Sequence, residues 1–465
     1  MTKPWSISTT VRNPERLRDF LRVLKKLEGQ NFDTANQIKY QVLLIKECIY
    51  KPQNIPIPYK KYYEQPEIEV PYNVAEEIFN LQKYKDPPMR GRQSVNPLNK
   101  LGFSIAREGY EPVIITELGN KFLSENYDVG YIFFKSMLKL QFPNPWSADF
   151  SEKEGFDIMP LIAVMKLIKN INGKAEKKGI NRKEFNLLVP TLINYKQIDE
   201  YTSRILELRK AKNKDDYIQH FVNKFYGTTT IPAKKMNNLF DYGDNILRYF
   251  RLTRYFKVSM GPLGNNWIID LEPSRKVEIE QLLDMYLGAS IKFETVTDYL
   301  KYLSDIEQPI LPWEKRENLE KVVQTLKLDA INLIMKEKLQ ISKEQQRFLD
   351  IDIHGLGKIQ LEQHNSQIRS LNLELKERIK KVKLMSDLNK VEEIISTLQN
   401  KKKLREYEPE QFEQLITEAL KIINDEILIK PNYPVDDDGE PVSHSPAHKP
   451  DIECYYKKFK AIIEV

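Results

Sequence analysis

Asp451 and Glu464 stand at the two ends of "DIECYYKKFKAIIE", a stretch of short alternating and apolar runs. Hydrolysing a phosphodiester with the help of a divalent cation takes two or three carboxylates converging on that cation, which polarises the phosphate and lowers the pKa of an attacking water. Two strands lying side by side can supply them. Alternation in "DIECYY" puts Asp451, Glu453 and Tyr455 on one face and Ile452, Cys454 and Tyr456 on the other. "KAIIEV" would return beside it through a turn near Lys457 and Lys458, bringing Glu464 alongside Asp451. The same residues also suit an edge hairpin whose acids face solvent.

Other chemistries find less support. Cys48 and Cys454 lie far apart without CxxC spacing, so neither a disulfide framework nor a structural zinc site is indicated. The five histidines, His220, His354, His364, His444 and His448, are too sparse to assemble a nucleophilic triad from sequence order. No P-loop, GxGxxG or internal repeat is present.

Charge is unevenly placed. Residues 157 to 260 hold 20 Lys/Arg against 10 Asp/Glu, whereas residues 405 to 465 hold 7 against 14. A basic middle ahead of an acidic end points to nucleic-acid binding coupled to something else. Lys177, Lys178, Arg182 and Lys183 crowd a helix start where ammonium and backbone N–H groups can together hold phosphates. Arg248, Arg251 and Arg254 are spaced by three and interleaved with aromatic residues, on one side if their helix continues that far. Arg90 and Arg92, read as lying on a Gly-broken loop in "DPPMRGRQSVNPLNK", have the side chain that pairs two-pronged with guanine. Solvated charged turns would use the same residue types.

The elements that position these groups follow from local pattern. At 465 residues and 41% hydrophobic content, about three domains with real cores are expected. No apolar run is long enough for a membrane helix and the start of the chain has no secretory h-region, so a soluble, cytoplasmic protein is expected. "LGFSIAREGYEPVIITELGNKFL" reads as a hairpin followed by a helix opened by Thr116. "MPLIAVMKLIKNI", "RKEFNLLVPTL" with a capping box at Asn181 and Glu184, and "QIDEYTSRILELRK" read as three helices suited to a helix-turn-helix. The last carries Ile198, Tyr201, Ile205 and Leu208 on one face. "NLFDYGDNILRYFRLTRYFKVSMGPLGNNWIIDLEP" adds a helix and a strand pair that could serve as a wing, joined by Gly-Pro-Leu-Gly-Asn-Asn. Residues 290 to 404 read as charged helix, with an amphipathic stripe of Leu388, Val391, Ile394, Ile395 and Leu398.

"GEPVSHSPAHKPDIECYYKKFKAIIEV" resembles the end region of AlwI-type restriction endonucleases, in which Pro-Val-Thr-His leads into Pro-Asp and Gly-Glu-Val ends the next strand. "LGFSIAREGYEPVIITELGNKFL", "FKSMLKLQFPNP" and "NILRYFRLTRYFKV" resemble further family segments in the same order. The resemblance implies that Asp451 and Glu464 are Mg²⁺-binding carboxylates and that Glu413 in "QFEQL" is a third active-site acid. Ile463 stands where the family often has glycine. It also implies a mainly α fold with small β hairpins (α+β). Residues 1–155 and 156–285 would be DNA-recognition subdomains of winged-helix character, 286–404 a helical linker, and 405–465 the start of a PD-(D/E)xK nuclease domain.

The activity implied is that of a bacterial type IIS restriction or nicking endonuclease on double-stranded DNA, with a transient dimer or a nuclease partner subunit for second-strand cleavage. The family's lysine-equivalent position falls after Val465, so a C-terminally truncated, catalytically incomplete chain is expected. A reading from another class remains open: a sequence-specific DNA-binding module or recognition subunit without catalysis.

Overall fold

The structure is a computed structural model that describes residues 3–8, 11, 13–64, 69–124, 127–147, 149–259, 267–423, 427–446 and 449–465. Among the described residues it is mainly helical, with three small antiparallel sheets. No helix among the described residues is long and apolar enough to cross a membrane.

The N-terminal region stacks the Leu17–Lys25, Thr34–Lys46, Tyr72–Leu81 and Pro87–Lys100 helices. The last of these corrects the loop expected around Arg90 and Arg92. Asp86 caps it by accepting from the Met89 N–H, and Pro87 and Pro88 occupy a first turn that has no amide hydrogen bond to lose. Gly91 does not break the helix. It lets the helix backbone press against the Gln37 carbonyl, where a Cβ would overlap it. Strands β1 (Ser104–Ile105) and β2 (Ile114–Ile115) then pair, and Thr116 caps the Glu117–Leu123 helix by accepting from the Gly119 N–H, as expected.

Next come the Pro160–Lys174 helix, β3 (Ile180–Asn181) and the Arg182–Leu188 helix, which carries both halves of the Asn181/Glu184 capping box. Ile198, Tyr201, Ile205 and Leu208 are all buried on the Ile198–Lys210 helix. That helix packs on Pro160–Lys174, however, and the helix crossing Arg182–Leu188 is Ala233–Leu252, a pairing the local pattern does not reveal. Gly243 permits the crossing by sitting against the Asn186 backbone. Strands β4 (Phe256–Ser259) and β5 (Ile268–Leu271) form the expected hairpin, with β3 completing a sheet of order β3-β5-β4. The Gly-Pro-Leu-Gly-Asn-Asn turn lies outside the described residues.

One apolar core runs through both of these regions and across residue 155. Trp5 exemplifies it: buried beside Phe142, it donates its indole N–H toward the Val189 and Leu192 carbonyls at 3.0 and 3.1 Å. Beyond it, the Arg316–Lys336 and Lys358–Ser386 helices pack through Val322, Leu326, Leu371 and Leu375. On the Leu388–Leu398 helix only part of the expected stripe is covered. Ile394 is buried against Leu384 and Leu415, while Leu388 in the first turn is 75% exposed and Ile395 is exposed.

The final sheet joins β6 (Leu428–Pro431), β7 (Ile452–Tyr455) and β8 (Lys460–Ile463) in that order, all antiparallel. Ile429, Ile452 and Cys454 face Ile416 and Leu420 of the Pro409–Ile423 helix, so the β7 alternation follows the sequence pattern.

Gly91→Ala should destabilise the fold, because the added methyl meets backbone rather than a movable side chain; overpacking of this kind costs about 1–3 kcal/mol. A thermal or denaturant melt checks this, and an unchanged midpoint would refute the close approach.

Candidate active site and charge pairing

The β7–β8 register pairs Ile452 with Ile463, so Asp451 and Glu464, one residue outside each strand, come opposite one another. The Val465 N–H donates to Asp451 Oδ2 at 2.7 Å. Both carboxylates line a cleft of about 470 Å³. Its far wall comes from the other end of the chain: Asn13, Glu15, Arg16, Arg18, Asp19 and Tyr127. His444, Ser445, Pro446 and Lys449 complete it.

Glu413 stands behind this cleft. Its carboxylate accepts from the Ser445 N–H at 3.0 Å and from the Ser445 hydroxyl at 2.9 Å, and that hydroxyl lies 3.3 Å from the Asp451 carbonyl. Burial, joined by the charges of Asp451 and Glu410, pushes Glu413 up to about 7 even though Ser445 pulls the other way. The three acids named from the sequence are therefore neighbours, but Glu413 reaches Asp451 through Ser445.

Among the described residues, no three His, Cys, Asp or Glu side chains converge as a metal-ligand set. Two carboxylates at adjacent strand ends are still a donor set that suits Mg²⁺, which commonly takes one or two carboxylates and fills its remaining positions with water and phosphate oxygens.

Sequence order gives no signal for the far wall. Glu15 is buried with one carboxylate oxygen unpartnered, and desolvation pushes it up to about 7. Asn13 Nδ2 sits 3.1 and 3.0 Å from the two ring nitrogens of His444, which lies near the opposite end of the chain. Only Asn13, as the cap of the Pro14–Arg16 turn, is locally recognisable.

The arginines assigned to DNA from the sequence are largely engaged within the chain. Arg251 must be corrected: it is 3% exposed, and its guanidinium donates to Glu410 Oε1 at 3.0 Å and to the Pro441 carbonyl at 2.6 Å, out of reach of a duplex. Arg248 pairs with Asp244 at 3.3 Å and Glu408 at 3.2 Å. Arg182 pairs with the same two acids and lies over the Trp267 ring. The spacing by three does mark one face for Arg248 and Arg251, but that face turns toward acids of the C-terminal region. Arg254 is not on the helix, which ends at Leu252; it takes a positive φ of 62° and pairs with Asp128 at 3.4 Å.

Arg90 lies over Tyr84, and Arg92 donates to Gln37 and Asp86, both at 2.9 Å. Lys177, Lys178 and Lys183 are exposed, although Lys178 donates to the Asn172 and Ala175 carbonyls and Lys183 pairs with Asp215.

A second set of ion pairs grips the short loop "DDDGE" at residues 436–440. Asp437 receives Arg275 at 2.8 Å and Arg369 at 3.3 Å, Asp438 receives Lys257 and Lys376, and Glu440 receives Lys380 at 2.6 Å. Burial works to raise Asp437, but Arg275 and Arg369 overcome it and hold the carboxyl down at about 2.

A family model described as AlwI restriction endonuclease matches residues 99–465. No curated protein matches the chain significantly. Among solved structures, the chain resembles one described as the BpuJ1 endonuclease binding domain in complex with pyrene- and phenanthrene-modified DNA. The likeness is at 12% identity and a TM-score of 0.37, covering 62% of this chain and 90% of that one.

Because Asp437 titrates lower in the folded chain than its ordinary 3.8, its contribution is present above pH ~4 and is lost as pH falls toward 2; a shift of this size is worth roughly 2 kcal/mol. Asp437→Asn should lower the denaturation midpoint at pH 7 and flatten its pH dependence between 4 and 2. Parallel pH profiles for the two proteins would refute the clamp.

Proposed function

The chain belongs to the AlwI restriction endonuclease family, and from that premise we propose that it is a type IIS site-specific DNA endonuclease, restriction or nicking. It would hydrolyse phosphodiester bonds a few bases outside a short asymmetric duplex site, with Mg²⁺. The observation that carries this reading is the pairing of Asp451 and Glu464 across β7 and β8 at the mouth of one cleft. In this reading residues 1–155 and 156–285 bind the duplex with winged-helix character. Residues 286–404 link them to a PD-(D/E)xK nuclease part beginning at 405.

Asp451 and Glu464 would hold the cation. When bound, Mg²⁺ supplies polarisation of the scissile phosphate and a more acidic water. The remaining work falls to the chain itself. Glu413 accepts from the Ser445 N–H and so fixes the Ser445 backbone, whose hydroxyl lies between Glu413 and the Asp451 carbonyl. Arg16 and Lys449 bring positive charge to the same cleft, where phosphate oxygens would need it. Lys177, Lys178 and Lys183, exposed at or just before the start of the Arg182–Leu188 helix, are the proposed backbone-phosphate contacts.

With plasmid, Mg²⁺ and the protein expressed with its natural C-terminus, the expected product is a nick or cut at a fixed offset from one sequence. Asp451→Ala and Glu464→Ala should each lower the rate by ~10²-fold or more, the order seen when an electrostatic group at a reacting centre is removed. Equal cleavage by wild type and Asp451→Ala would sink the site assignment. A mobility shift with specific binding but no cleavage would favour a recognition module instead.

Replacing Lys177, Lys178 and Lys183 by glutamine should weaken binding evenly across sequences and reduce the salt slope by about one for each phosphate no longer neutralised. Affinity that ignores salt would contradict the proposed role of these lysines.

A further inference from the structure

Arg251 lies at the end of the Ala233–Leu252 helix, within the proposed DNA-recognition part, yet both of its hydrogen-bond partners belong to the segments that carry the candidate active site. Glu410 is one helical turn before Glu413 on the Pro409–Ile423 helix. Pro441 opens the stretch that leads through Ser443 and His444 to Ser445, whose N–H and hydroxyl both go to Glu413. The chain then reaches Asp451, whose carbonyl accepts from the Asn432 N–H at 3.0 Å. One guanidinium therefore ties the start of the Glu413 helix to the start of the segment bearing Ser445 and Asp451.

The chemistry of the contact is specific. Glu410 is 2% exposed at its side chain, so the pair is shut away from water on both sides. A buried ion pair is seldom more stabilising than apolar residues of the same volume, whereas its geometry is far more exacting. A guanidinium presents several donors in a fixed plane and can bridge a carboxylate and a carbonyl from two different segments; an ammonium is a point charge and cannot hold both in the same directions. The face of the Trp267 ring, 5.5 Å from the guanidinium, further restricts it.

We propose that Arg251 is a positioning residue that couples the recognition part to the reaction: by holding Glu410 and Pro441 together it sets the Glu413–Ser445–Asp451 arrangement on which the cation-binding carboxylates stand. The role rests on the endonuclease reading for its consequence in catalysis, but the positioning itself can be measured without it.

The test uses the whole protein with Arg251→Lys, Arg251→Met and the double variant Arg251→Met/Glu410→Leu, in which the buried charges are replaced together so that neither is left alone. The expected result is a folded double variant that binds duplex as tightly as wild type. Its single-turnover cleavage at saturating duplex should be slower by ~10–100-fold, the range found when groups supporting an active site are removed. Amide exchange at Ser445 should rise by roughly tenfold as its hydrogen bond to Glu413 loosens. Arg251→Lys should keep the fold and the charge but show the same pattern, which a role in stability alone would not produce. If the folded double variant or folded Arg251→Lys cleaves and exchanges like wild type, Arg251 is only a packing contact and the proposal fails. If wild type binds duplex and never cuts it, the endonuclease reading fails, and Ser445 exchange alone decides whether Arg251 positions the segment.

Discussion

Burying a charge is tolerable only when it is paired and hydrogen bonded, and this constraint fixes how the C-terminal region meets the rest of the chain. Arg251 with Glu410, and Arg275 and Arg369 with Asp437, bury carboxylates of that region against cations from residues 251 to 369. Sliding the two parts past one another would strand these charges, so the interface has one good register. Everything in the candidate site hangs from that register. The helix bearing Glu413 begins at the Arg251 contact, and the segment that reaches Ser445 and Asp451 leaves the clamped loop at Glu440.

The features legible in the sequence are those whose cause is local. The Asn181/Glu184 capping box and the Thr116 cap are side-chain-to-backbone bonds spanning three residues, so residue type at fixed spacing is nearly sufficient to specify them. The opposition of Asp451 and Glu464 follows from strand alternation and a short turn, again within a short span of chain. That geometry does not by itself make them catalytic, and their role in cleavage is a proposal.

What the sequence hides is tertiary. Isolated glycine is a poor helix former, so Gly91 reads as a break, but its use here is the absence of a side chain against Gln37 from another helix. The arginine triplet marks a face of the Ala233–Leu252 helix without revealing what lies against it. A charge count by segment has the same blindness, since it registers cations without asking which carboxylates they already face. Glu15, unlike its neighbour Asn13, has no local signature, because a cleft wall assembled across the length of the chain leaves no spacing to read.

That wall has a consequence in time. Asn13 and Glu15 are made early and the residues opposite them, from His444 to Glu464, late. At a synthesis rate of about 5–20 residues per second, the interval between them is on the order of tens of seconds. Once residue 192 has been made, a nascent chain can close the core around Trp5 without enclosing this cleft, and the carboxylates acquire their surroundings only as the last part docks. A protein built in this order has its basic middle made before this cleft exists.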